Sequence, residues 1–102
     1  MIEIEWTTLA FESLEALPDA IAFEIVRRVD VLAAFPEMGP SMREHFETRF
    51  NYRQLIIKGN YRAIYRYDAD ESVIYIAAIQ HCRQQLPSYS DLQRAIKKAQ
   101  SE

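Results

Sequence analysis

Ile2, Ile4 and Trp6 alternate with Glu3 and Glu5, the period-two pattern of a strand with one face buried and one in water. Thr7 or Thr8 can cap a helix that runs through Ala10 to Leu17, with Leu14 and Leu17 on its inner stripe, and Pro18 stops it. Asp19 reads as the next N-cap. From there Ala22, Ile25, Val26, Val29, Leu32 and Ala33 form an apolar stripe on a second helix that ends before Pro36. The two helices are expected to form a hairpin over a sheet.

Pro36, Gly39 and Pro40 punctuate a stretch, Pro36 to Glu47, with no clear period, which reads as a loop and as the most flexible part of the body. A second strand is expected over Phe50 to Ile57. It reverses at Lys58-Gly59-Asn60, where glycine and asparagine suit positive φ, into a third strand over Tyr61 to Tyr67. In that strand Tyr61, Ala63, Tyr65 and Tyr67 share one face, and Arg62, Ile64 and Arg66 share the other. After the acidic turn from Asp68 to Ser72, the run Val73 to Ile79 is apolar on both faces, as in a central strand covered twice. Its odd-numbered line, Val73, Tyr75, Ala77 and Ile79, extends through His81 to Arg83 if strand geometry persists. Beyond Pro87, from Ser88 or Ser90 to Gln100, Leu92, Ala95, Ile96 and Ala99 mark a terminal helix. The order is β-α-α-β-β-β-α, an α+β fold in one domain over residues 1–102.

Charge divides unevenly along the chain. The net charge of −3 hides −6 over residues 1–42 and +4 over residues 43–100, with Glu102 as the last acid. A basic half in an acidic protein fits a localised anionic partner better than a general grip on nucleic acid, whose strength grows with the phosphates neutralised. No apolar run reaches the roughly 20 residues that span a bilayer, and the opening MIEIEW lacks a basic and apolar leader pattern, so no membrane partner and a cytoplasmic location are expected. The single cysteine, Cys82, leaves no internal disulfide.

The chemistry concentrates between Arg49 and Pro87. Arg53, Arg62 and Arg66 lie on strands, and the central strand discharges into His81, Cys82 and Arg83. Guanidinium forks on a rigid sheet suit phosphates or carboxylates. His81 is the residue type that exchanges protons near neutral pH, with a strand-capping, hydrogen-bonded role as its alternative. Cys82 reads as a small buried residue rather than a nucleophile. His45, His81 and Cys82 have no metal-site spacing, so no metal and no cofactor are expected. The tyrosines at strand spacing read as packing, and Arg27-Arg28 as a solvated helix face.

These pieces in this order resemble the RelE/ParE superfamily of toxins from type II toxin-antitoxin modules: the FPEMG loop, Arg53 and Leu55, the Tyr61 to Arg66 block, and the tail from His81 to Pro87. The likeness covers nearly the whole chain, and the ParE-like branch fits better. ParE-like members imply inhibition of DNA gyrase, no agreed enzymatic site and neutralisation by a cognate antitoxin in a toxin-antitoxin hetero-oligomer. RelE-like members imply cleavage of messenger RNA on the ribosome, with a base for the ribose hydroxyl, an acid for the leaving oxygen and cations for the phosphorane. On that alternative Arg62, His81 and Arg83 would be catalytic. Arg62 would clamp phosphate or, instead, orient the tail by pairing with a carboxylate or backbone carbonyls.

Two departures from the RelE pattern weigh against cleavage. Strand two carries Arg53 and the apolar Leu55 where two lysines would alternate, and the tail tyrosine has only a shifted counterpart in Tyr89, beyond Pro87. The reading is therefore a ParE-like gyrase inhibitor, with Arg53, Arg62, Arg66 and Arg83 as a partner or target surface. The alternatives are a ribosome-dependent endoribonuclease and a degenerate member that only binds antitoxin.

Overall fold

The computed structural model describes residues 1–44 and 50–101. Its elements are β1 (Glu3–Trp6), α1 (Thr8–Glu15), α2 (Asp19–Asp30) followed by a 3-10 turn (Val31–Ala33), β2 (Tyr52–Ile57), β3 (Tyr61–Asp68), β4 (Val73–His81) and α3 (Tyr89–Gln100). The β-α-α-β-β-β-α order expected from the patterning is the order found. Four strands make one mixed sheet, β1-β4-β3-β2, in which β1 pairs with β4 in parallel and the last three strands run antiparallel. β4 is central, which explains its unbroken apolar run.

Each face of the sheet has its own core. On one side Ala10 and Leu14 of α1 and Ile25 and Val29 of α2 pack on Leu55, Ala63, Tyr65, Ile74 and Ile76. On the other, Leu92 and Ile96 of α3 pack on Tyr52, Ile64, Tyr75 and Ala78. The helical hairpin thus covers one face and the terminal helix docks on the opposite one. At roughly 1.5–3 kcal/mol for each fully buried large aliphatic side chain, both layers are needed to hold a sheet of this size.

Helix entry is built differently at each start. Thr7 is fully buried, and its hydroxyl accepts from Ala10 N (3.1 Å) while donating to the carbonyl of Ile76 (2.9 Å), so one side chain caps α1 and ties it to β4. Ser88 caps α3 by accepting from Asp91 N (3.1 Å). The expectation that Asp19 caps α2 is corrected: Pro18 occupies the cap position, and Asp19 is the first helical residue, where its charge still favours the dipole. At the hairpin turn the positive φ values fall on Lys58 (54°) and Gly59 (72°) rather than on Asn60.

Residues 36–42 are tied down, against the expectation of a loose loop, and Glu47 with its neighbours His45 to Arg49 lies outside the described residues. The buried hydroxyl of Tyr65 donates to the Pro36 carbonyl (2.8 Å) and accepts from Gly39 N (2.9 Å). Arg53 donates to the Gly39 carbonyl (2.8 Å) and pairs with Glu37 (3.1 Å). Met42 N donates to the Tyr52 carbonyl (2.8 Å) and Gln54 N to the Pro40 carbonyl (3.1 Å), which covers part of the outer edge of β2. A Cβ on Gly39 would stand 2.7 Å from the Gln54 carbonyl oxygen, so no larger residue fits there.

The expected line of side chains from Val73 to Arg83 breaks inside β4. Tyr65 pairs with Ile76 and Ile64 with Ala78, which leaves Ala77 unmatched in a β-bulge. Ala77 and Ala78 both face the α3 side, and Ile79 turns to the hairpin side. One extra residue therefore inverts every later position of the strand.

Tyr65 supplies a test. Replacing it with phenylalanine strands the Gly39 amide and the Pro36 carbonyl and is expected to lower the unfolding free energy by about 1–3 kcal/mol in urea titrations. Burial pushes the phenols of Tyr65 and Tyr52 above their ordinary value of 10.0. Their protons are held more tightly in the folded chain, so this contribution is complete below the unfolded value and is lost as pH rises through the folded one. Stability is expected to fall in alkaline solution, and Tyr65→Phe is expected to lose less than the parent over the same rise. An equal alkaline loss in the two proteins would contradict this.

Candidate functional site

Arg62 leaves β3 on the α3 face of the sheet, directly opposite Gln80 of β4. Its guanidinium donates to the Cys82 carbonyl (2.7 Å) and to Gln54 Oε1 (3.3 Å). Gln80 Nε2 in turn donates to the Gln85 carbonyl (3.2 Å). These two cross-strand neighbours grip the backbone of the tail at Cys82 and Gln85. Of the alternatives the sequence left open for Arg62, contact with a backbone carbonyl is the one present.

His81 stands on the other face. The bulge pairs it with Tyr61, and the two rings meet edge to face at 5.2 Å and 72°. Its Nδ1 accepts from Arg83 N (3.0 Å), which leaves the proton of the neutral ring on Nε2, and its own amide donates to Gln84 Oε1 (2.8 Å). Gln84 N donates back to the His81 carbonyl (3.0 Å). His81 therefore closes a turn. Arg83 lies in that turn, exposed, and its side chain makes no hydrogen bond or ion pair among the described residues.

The four arginines expected to form one surface are divided. Arg53, opposite Tyr65, lies on the hairpin face and is spent on the 36–40 loop. Arg62 and Arg66 share the α3 face as expected. Arg66 is only 7% exposed and lies over the Phe50 ring at 4.3 Å, with the Tyr75 ring at 5.7 Å. Tyr89, the first residue of α3, meets Tyr52 edge to face at 5.9 Å and lines a groove with Arg66. The patterning missed this aromatic nest. Its signal was the spacing of Phe50 and Tyr52, two residues apart at the entry to β2.

Chemically, the arrangement separates a guanidinium from an imidazole. Arg62 is engaged with the tail and His81 faces away from it, so the candidate acid-base and the candidate phosphate clamp do not meet on one face. Cys82 is half-buried, its amide bound to the Asn60 carbonyl (2.7 Å). No cluster of three or more metal-ligating side chains forms among the described residues. No helix among them is long and apolar enough to cross a membrane.

If Arg62 holds the tail, Arg62→Ala is expected to lower the unfolding free energy by about 1.5–3 kcal/mol, the range for a hydrogen bond from a charged donor. It is also expected to speed amide exchange at Cys82 and Gln84. Unchanged stability with unchanged exchange would remove the structural role.

Comparison with known proteins follows the same lines. The family model described as the ParE toxin of type II toxin-antitoxin systems matches residues 4–86. No curated protein matches the chain. Among solved structures, the isolated E. coli RelE toxin aligns with a TM-score of 0.66 at 10% identity, over 96% of this chain and 98% of that one. A chain of the intact E. coli RelBE toxin-antitoxin complex aligns at 0.66 and 8% identity, over 82% of this chain and all 100% of its own. A chain of the Mycobacterium tuberculosis RelBE2 complex aligns at 0.63 and 22% identity, over 81% and 93%. At these identities the solved structures show a common fold, and the family match covers most of the chain. This protein belongs to the ParE toxin family of type II toxin-antitoxin systems, within the RelE/ParE superfamily.

Proposed function

We propose that this toxin acts by binding DNA gyrase rather than by cleaving RNA, and that a cognate antitoxin neutralises it in a hetero-oligomeric complex in the cytoplasm. The observation that carries the reading is the split at the β4 bulge. In-line attack of a ribose hydroxyl on the adjacent phosphate needs a proton acceptor, a proton donor and a cation around one phosphorus. Here Arg62 is turned into the tail while His81 is turned to the opposite face and closes its own turn. Leu55, buried under the helical hairpin, offers no second strand-two cation.

Neutralisation by an antitoxin draws support from the family and from the relatives crystallised as toxin-antitoxin complexes. Such partners commonly fold part of their chain on binding and so cover a wide surface. The basic half of this chain suits an acidic segment of that kind.

The deciding experiment assays the antitoxin-free toxin on gyrase supercoiling and on messenger RNA in programmed ribosomes, side by side. Supercoiling is expected to be inhibited with the message intact, and His81→Ala is expected to keep that inhibition within about threefold. Message cleavage that disappears in Arg62→Ala would overturn the proposal in favour of the endoribonuclease. Silence in both assays would overturn it in favour of a member that only binds antitoxin.

A further inference from the structure

Arg66 is a buried charge with no counter-ion among the described residues, and such a group is held against a solvation penalty of several kcal/mol. Its guanidinium is braced by Phe50 and Tyr75, stands beside the Tyr52 hydroxyl, and lies where two grooves meet. The larger, about 580 Å³, runs between the sheet and α3 and is lined by Phe50, Tyr89, Ser90, Ile96 and Lys97 beside Arg66. The first turn of the 12-residue α3 borders it, with the positive end of the helix dipole. The acids lining the two grooves are Asp68, which borders both, and Asp70 and Glu37 in the smaller one, where Glu37 is paired with Arg53 at 3.1 Å.

We infer that Arg66 is the floor of a carboxylate-binding site that takes a glutamate or aspartate side chain of an acidic, partly apolar peptide segment. A planar fork held flat by aromatic rings fits one carboxylate through two parallel hydrogen bonds, and Phe50, Tyr89 and Ile96 receive an apolar side chain next to it. Lys97 adds a second cation at the groove's edge. Asp68 and, in the neighbouring groove, Asp70 set negative charge beside the fork, which favours a single carboxylate over a run of phosphates. The inference rests on the reading that a partner segment binds this toxin, and its test requires neither gyrase nor antitoxin.

The experiment follows the Arg66 side-chain Nε–H resonance of the isotope-labelled full chain as capped Phe-Glu-Phe and Phe-Gln-Phe peptides are titrated in, with inorganic phosphate as a third probe. The glutamate peptide is expected to bind at least about tenfold more tightly than the glutamine peptide, a difference of about 1.4 kcal/mol. Arg66→Lys, which keeps the charge without the fork, is expected to lose most of that difference, and Arg66→Met all of it. Because no counter-ion for it lies among the described residues, Arg66→Met is expected to stay folded with Tm no lower than the parent. Equal affinity for the two peptides would overturn the inference. So would tighter binding of phosphate than of the glutamate peptide, or an Arg66→Met protein that no longer folds.

Discussion

Between Ile64 and Tyr65 the partner on β4 steps from Ala78 to Ile76, and the residue left over, Ala77, decides what the far end of the sheet can present. Strand side chains alternate with a period of two, so one unmatched residue exchanges the faces of everything after it. Ile79 thereby reaches the core under α1 and α2 instead of the one under α3, and His81 follows it. Small side chains at positions 77 and 78 let two successive residues lie against α3. Without the bulge, the imidazole would stand beside Arg62.

Three polar anchors keep that geometry rigid. Thr7 fastens the start of α1 to the Ile76 carbonyl, next to the bulge itself. Tyr65, on β3 at the bulge, reaches out to Pro36 and Gly39 and holds the loop after α2. Arg62 grips Cys82 and so fixes the path from β4 towards α3. Tyr65 and Arg62 each join an element to a carbonyl that would otherwise have no partner among the described residues, and an unmet group costs more than an average hydrogen bond contributes. Together they hold a firm scaffold with grooves on the α3 side.

Much of this was legible in the chain. Alternation in Ile2–Trp6, the stripe through Ile25 and Val29, the turn at Gly59 and the doubly apolar Val73–Ile79 run each specified its element, because burial of one or both faces dictates the pattern. The shared face of Arg62 and Arg66 followed from strand parity alone. The bulge did not show, since an all-apolar strand hides a change of phase: every residue suits either core. The parallel pairing of β1 with β4 also carries no local mark. That Arg53 stands on the face opposite Arg62 does not show in the sequence for a related reason, because placing it needs the register of β2 against β3 and the position of Gly39.

We propose that this ParE-family fold carries a recognition surface and not a cleaving one. Binding itself is the most direct measure of that claim. Antitoxin-free protein should co-sediment saturably with purified DNA gyrase and stay in the supernatant when spun with ribosomes programmed with messenger RNA. Saturable association with the programmed ribosomes and none with gyrase would contradict it.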